Sequence, residues 1–504
     1  MGFVGATLLG IDARPVEVDV RIMGGQMGRF LLTGLPGAAV RESRDRVRAA
    51  IASSDLAFPK RSLLVHLAPG DLRKEGPLLD LPIALSILEA SGQVALGRPG
   101  RFLAAGELAL DGRLRPVRGA VPIAATARAR GFDAVLLPPG NARAAALVEG
   151  IAVFGVSTLT EAAHFLSGEL DLAPARVPAD GAPRDDATEL ADVRGQEDAK
   201  RALAIAATGK HNVLLVGPPG SGKTMLARRL RALLPDLAPR EAQEVARIRS
   251  VIDPEAAEVP RRPPFRAPHH TSSPAAMVGG GPTIRPGEVT LAHHGVLFLD
   301  EFPEFPRHAL EALRQPLEDR VVAVARAAGQ VVFPADLCLV AAMNPCPCGY
   351  RGHARVVCRC TDRVVERYVQ KISGPLLDRI DLVIEVAPVE VRALLEPAPI
   401  DDAAALVEAI GRARAAQERR LADRPVRFNG RLGPRDVDRF CRLEGAAKTL
   451  LVRAADRLQL SARAVTRTRR VARTCADLAG HAEIEPDDVA FALSCRSTLA
   501  GSPT

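Results

Sequence analysis

Residues 212 to 224 read Asn-Val-Leu-Leu-Val-Gly-Pro-Pro-Gly-Ser-Gly-Lys-Thr. The apolar run Val213 to Val216, closed by glycine and proline, has the form of a strand buried on both faces. The next eight residues, Gly217, Pro218, Pro219, Gly220, Ser221, Gly222, Lys223 and Thr224, fit G-x-x-x-x-G-K-[ST], and a helical pattern continues from Met225 to Leu234. Glycines in such a loop let successive backbone N–H groups turn inward onto phosphate oxygens, and the helix behind adds the positive end of its dipole. Lys223 can then reach the β- and γ-phosphates of ATP, and the Thr224 hydroxyl can bind Mg²⁺.

A second apolar run, Val296 to Leu299, ends in Asp300 and Glu301. A buried strand ending in two carboxylates is a strand ending in solvent, or one that faces a site. Beside a phosphate loop the second reading holds, with Asp300 on Mg²⁺ and Glu301 polarising the attacking water.

These residues must be carried by a large chain. Its 504 residues allow roughly three domains of about 150 each. With 47% hydrophobic and 25% charged residues the composition is globular, and the net charge of +8 permits a polyanionic partner without requiring one. No apolar run of about 18 residues predicts a membrane span, and no basic start leading into an apolar core predicts export. Eight cysteines in this length do not make a disulfide scaffold, so a reduced, cytoplasmic setting is expected.

The sequence divides into four units. Residues 1–170 mix strands (Val16 to Val20, Leu63 to Leu67, Val135 to Leu137) with helices (Ala38 to Ser53, Leu78 to Leu88, Val121 to Arg130). The charges of residues 41 to 48 read as a solvated helix face. Residues 171–188, with Pro174, Pro178, Gly181 and Pro183, read as a linker. Residues 189–389 hold the phosphate loop, and 390–504 are helical. Within 189–389, the Gly- and Pro-rich stretch 235 to 292 reads as a long insertion. Arg307 to Leu317 reads as a helix, then Arg320 to Arg326 and Gln330 to Phe333 as a hairpin. Arg320 and Arg326 either contact a DNA backbone or belong to a basic solvated hairpin. His269, His270, His293 and His294 match no standard metal spacing. Cys346, Cys348, Cys358 and Cys360 form two close pairs, suited either to tetrahedral Zn²⁺ or to reduced thiols without metal.

Leu35-Pro36-Gly37, Arg41-Glu42-Ser43, Leu67-Ala68-Pro69, Arg73-Lys74-Glu75-Gly76 and Gly106-Glu107-Leu108 resemble the first domain of the magnesium-chelatase-like ATPases of the YifB/ComM group, a domain similar in fold to the Lon protease domain. Where a Lon-type protease has Gly-Pro-Ser, Gly76-Pro77 is succeeded by Leu78, and no lysine lies between Arg101 and Gly131, so the resemblance implies a non-proteolytic relative. It extends through the rest of the chain. Asp192-Val193-Arg194-Gly195-Gln196 resembles the AAA+ element that packs near adenine. The stretch 235 to 292 resembles the helix-2 insertion of the chelatase and MCM branch. Asn344 takes the sensor-1 position, and Leu376-Leu377-Asp378-Arg379-Ile380-Asp381 resembles the arginine-finger segment. Arg463, with Arg467 as the alternative, takes the sensor-2 position.

The implied fold class is α/β: a Lon-like α+β domain, a P-loop AAA+ core with helix-2 insertion, and a helical lid. The implied assembly is a homo-oligomeric ring, a hexamer, in which Arg379 acts on the neighbour's nucleotide. The implied activity is Mg²⁺-dependent ATP hydrolysis driving a DNA motor, with branch migration during transformation. The alternative is a chelatase-type ATPase that remodels a protein partner.

Overall fold

The computed structural model describes residues 2–23, 28–95, 97–177, 191–256, 258–281, 284–326, 329–353, 356–388 and 400–496. Pro178, Gly181 and Pro183 of the expected linker lie outside them.

Val4 to Gly155 build a seven-stranded mixed sheet in the order Phe30–Thr33, Ser62–Ala68, Asp12–Met23, Val4–Leu9, Phe102–Ala104, Ala134–Leu137, Ala152–Gly155. The strand Asp12–Met23 pairs antiparallel with both neighbours, and the far edge is parallel. Helix Asp80–Ala90, apolar nearly all round, is buried beneath it. The helix over residues 41 to 48 is not merely a solvated face. Arg41, Glu42, Arg44, Asp45 and Arg48 are exposed, but Arg46 turns inward to Asp80. Its Nε donates to Oδ2 at 2.7 Å and its Nη2 to Oδ1 at 3.0 Å, while the Leu108 N–H donates to Oδ2 at 3.2 Å and the Ser43 hydroxyl completes the set. A wholly buried carboxylate requires such partners. Removing it with Asp80→Ala strands Arg46 and is expected to cost about 3–5 kcal/mol, read as a lower chemical-denaturation midpoint. Leu78, where a Lon-type nucleophile would stand, is buried in the core.

The second sheet is parallel and five-stranded, in the order Phe265–Arg266, Val296–Leu299, Cys338–Met343, Val213–Val216, Leu382–Glu385. Val213 to Val216 and Val296 to Leu299 are buried throughout, as their unbroken apolar character requires. The register sets Val216 against Met343 and Leu299 against Ala341, so the residues just past these three strands emerge side by side at one carboxyl edge.

The C-terminal helices Ile400–Arg420, Pro434–Phe440, Gly445–Arg457, Ala462–Ala479 and Pro486–Ser494 share one apolar core with this sheet: Val471, Ala472 and Cys475 pack in the same cluster as Val213, Leu215 and Val340. The expected helix 307–317 is two, Arg307–Glu311 and Arg314–Asp319. Pro316 explains the break, since it cannot donate to the Ala312 carbonyl four residues back and its ring crowds that oxygen.

The stretch 235 to 292 is more ordered than its glycines and prolines suggest. It opens with a 14-residue helix, Pro239–Ile252, started by Pro239 and by the Glu241 carboxylate accepting the Ala238 N–H at 2.9 Å. This helix docks on the first domain: the Gly119 N–H donates to Ser250 O at 2.7 Å, Asn141 Nδ2 to Pro254 O at 2.9 Å, and Arg247 Nε to Ile11 O at 3.0 Å. The turn at Gly10 meets the hairpin Val321–Arg326 and Gly329–Pro334, where a Cβ on Gly10 would lie 2.5 Å from Val331 Cγ1. The first domain is thus seated on both insertion and hairpin.

Candidate nucleotide site

The phosphate loop leaves strand Val213–Val216 and enters helix Lys223–Leu233 through Gly222, whose φ of +87° a side chain would disfavour. Lys223 is almost enclosed. Its Nζ donates to Gly217 O and Pro218 O, each at 2.8 Å, and to Asn344 Oδ1 at 3.2 Å, and burial lowers its pKa from the ordinary lysine value. Lys223 and Asn344, 121 residues apart in the chain, therefore converge on one point.

The Thr224 hydroxyl donates to Asp300 Oδ2 at 2.9 Å. Mg²⁺ holds oxygens at about 2.0–2.1 Å in an octahedron, whose adjacent ligands stand about 2.9 Å apart, so this hydroxyl and carboxylate fit two neighbouring positions. Asp300 Oδ1 accepts the Glu301 N–H at 3.0 Å, and Glu301 adopts φ +52°, left-handed for a non-glycine residue. Gln196, also at positive φ, donates from Nε2 to Ser221 O at 2.8 Å and Ala387 O at 2.9 Å, tying the segment that precedes the core to the loop.

His270 of the insertion lies 3.2 Å from Glu301 Oε2 through its Nδ1. Sequence reasoning missed this partner, because the pair joins an irregular insertion to a strand end and no spacing reports it. His293 and His294 both meet Glu244 Oε2, at 3.2 and 2.7 Å. His293 Nδ1 accepts the Asp336 N–H at 3.0 Å, which leaves its proton on the nitrogen facing Glu244, so the cluster is a hydrogen-bonded brace.

Arg379 is nearly buried, its Nη1 donating to Pro375 O at 2.6 Å and its Nη2 to Glu318. Glu318 also receives Arg463 at 3.4 Å, so these two arginines share one carboxylate rather than meeting Lys223 or Asp300 of their own chain. Arg467 stands 3.7 Å from Asp381. Arg320 lies at the base of the hairpin and donates to Arg431 O at 2.8 Å, which turns it toward the lid helices and away from the hairpin tip. The side chain of Arg326 lies outside the described residues.

The four cysteines come together. Sγ of Cys346 lies 3.3 Å from that of Cys348 and 3.7 Å from that of Cys358, Cys348 and Cys358 are 3.6 Å apart, and with Cys360 all four sulfurs fall within 4.8 Å of one another. They are free thiols, and a tetrahedron of Zn–S bonds near 2.3 Å has sulfurs about 3.8 Å apart, so the set fits zinc. The backbone N–H groups of Tyr350 and Arg359 draw the Cys348 thiol down to about 6, while desolvation and the neighbouring sulfurs push the Cys358 and Cys360 thiols up.

A phosphate loop after Val213–Val216, paired acids on the next strand but one, and a helical region closing over the sheet define an AAA+ ATPase. Comparison with known proteins narrows the class. The profile "Magnesium chelatase, subunit ChlI" matches residues 189–394, "Subunit ChlI of Mg-chelatase" matches 16–141, and "Magnesium chelatase, subunit ChlI C-terminal" matches 401–496. The chain is 42% identical to the protein YifB of Escherichia coli (strain K12), over 93% of this chain and 92% of YifB. It is 40% identical to the competence protein ComM of Haemophilus influenzae, over 97% of this chain and 96% of ComM. A shorter match, 34% identical, joins 26% of this chain to 25% of Lon protease 2 of Bacillus subtilis. The chain belongs to the YifB/ComM family of magnesium-chelatase-like proteins. No helix among the described residues is long and apolar enough to cross a membrane.

Proposed function

We propose that this chain is a ring-forming, Mg²⁺-dependent ATPase that moves DNA, driving branch migration when an incoming strand is exchanged. The observation that carries the ATPase half is the convergence of Lys223, Asn344, Thr224 and Asp300 at one sheet edge. Lys223 neutralises the β- and γ-phosphates, the backbone N–H groups of Gly220 to Thr224 cradle them, Glu301 orients and deprotonates the attacking water, and Asn344 fixes that water beside the γ-phosphate. Mg²⁺, held by Thr224 and Asp300, would neutralise charge on the phosphate oxygens. Zn²⁺ is assigned to the four cysteines as a structural ion. The first domain is read as a Lon-like fold without protease chemistry.

The DNA half rests on likeness to a competence protein along nearly the whole chain and on the hairpin, whose base is joined to the lid through Arg320 and Arg431. Its test is ATP turnover with and without forked or single-stranded DNA at two salt concentrations. Stimulation that weakens as salt rises supports the motor; no stimulation at either concentration rejects it. Stimulation by a protein partner alone would favour the chelatase-type reading, to which the three chelatase profiles also point.

Arg379 meets Glu318, away from its own phosphate loop, which supports its action on the neighbouring subunit's γ-phosphate; Arg463, on the same carboxylate, is kept as the sensor-2 residue that touches the γ-phosphate. Exchange of Glu318 for phosphate as the partner of Arg379 would couple assembly to turnover. Arg379→Ala is expected to lower hydrolysis by roughly 10²-fold or more while nucleotide still binds. Mixing it with Lys223→Ala subunits should restore part of the rate, and mixed rings as inactive as either parent would refute action in trans.

A further inference from the structure

The cysteine cluster is built into the nucleotide site rather than placed beside it. Asn344, which meets Lys223, is two residues before Cys346, and Cys346 is wholly buried. Cys346 O accepts the Gly349 N–H at 2.9 Å, and its Sγ accepts the Arg351 N–H at 3.3 Å. Gly349, at φ +86°, lies flat on the phosphate loop: a Cβ there would stand 2.6 Å from Pro219 Cδ and 2.8 Å from Pro219 Cγ. On the other side Cys358 and Cys360 lead directly into helix Asp362–Val369. Its buried Tyr368 brings its hydroxyl up to the backbone N–H of Asn344. The chain therefore leaves Asn344, passes through one cysteine pair, returns through the other and closes again on Asn344. An ion joining the two pairs fixes both ends of that circuit, and with them the floor on which Pro219 rests.

We infer that zinc held by Cys346, Cys348, Cys358 and Cys360 sets the position of the phosphate loop and of Asn344, so that occupancy of the thiol clip governs nucleotide affinity. This rests on the proposed assignments of zinc and of the nucleotide site. Gly349 and Tyr368 act as positioning residues, since Gly349 touches the loop at Pro219 and Tyr368 reaches the Asn344 backbone, and neither need touch nucleotide.

The test uses the full chain, purified without chelator, with zinc counted by elemental analysis and affinity measured by equilibrium binding of a fluorescent ATP analogue. Wild type is expected to carry stoichiometric zinc. Stripping it should raise Kd on the order of tenfold, reversed by Zn²⁺ and not by added Mg²⁺. Cys348→Ser/Cys358→Ser should lose zinc and affinity together. Gly349→Ala, which keeps all four thiols, should retain zinc yet lose affinity to a similar extent. Zinc-free protein, still folded by circular dichroism, that binds nucleotide with the wild-type Kd overturns the inference. So does wild-type protein that neither carries nor takes up zinc while binding nucleotide normally. Failure of the nucleotide site itself shows separately, as zinc-loaded wild type that binds no nucleotide.

Discussion

Lys223→Ala is expected to abolish ATP turnover, lowering it by at least roughly 10²–10³-fold, the loss expected on removal of one preorganised group facing developing charge. The lysine is preorganised because Gly217 O, Pro218 O and Asn344 Oδ1 already hold Nζ. Its depressed pKa shows that burial works against the ammonium, so a phosphate that restores opposite charge is strongly favoured there. Truncation also leaves two loop carbonyls and the Asn344 amide oxygen without that partner, so some local stability is lost, of order ~1–3 kcal/mol. A steady-state ATPase assay together with a melting curve separates the two effects. A folded variant that hydrolyses ATP at the wild-type rate would refute the site.

Glu301→Gln should produce the opposite division of labour, with ATP bound and assembly retained but hydrolysis reduced by roughly 10²–10⁴-fold. The substitution keeps the size of the side chain and the backbone N–H bond to Asp300 Oδ1, so the Mg²⁺ position at Thr224 and Asp300 stays intact. The base alone is removed from the site. The change also weakens the contact with His270, so the insertion loses part of its tie to the strand end. Nucleotide retention during size-exclusion chromatography, beside single-turnover hydrolysis, checks both parts; retention lost together with turnover would mean that Glu301 serves binding.

Much of the core is legible in the sequence because its signals are local. The runs Val213 to Val216 and Val296 to Leu299 are buried on both faces and therefore apolar at every position, so these strands stand out and direct attention to the phosphate loop and the paired acids at their ends. The helix Pro239–Ile252 carries a signal too, since Ala242, Val245, Ile248 and Val251 recur at steps of three, with Ala246 four on from Ala242, but the glycines and prolines around it mask that signal. The short strands Val4–Leu9, Phe30–Thr33, Phe102–Ala104 and Ala152–Gly155 escape sequence reasoning, because segments this brief carry too little periodicity to separate strand from loop. Contacts between distant segments have no sequence signal at all. His270 beside Glu301, Arg46 beneath its helix on Asp80, and Arg379 with Arg463 at Glu318 are facts of packing, set by which loops the two sheets bring together.

The seat of the Gly10 turn against Val331 and Phe333 has a mechanical corollary. Whatever tilts the hairpin must carry the leading third of the polypeptide along, so the moving part is heavy and broad rather than a slender finger. Amputating that third would also bare the greasy flank of the hairpin, and a shortened protein would be prone to clump before its catalytic power could be judged.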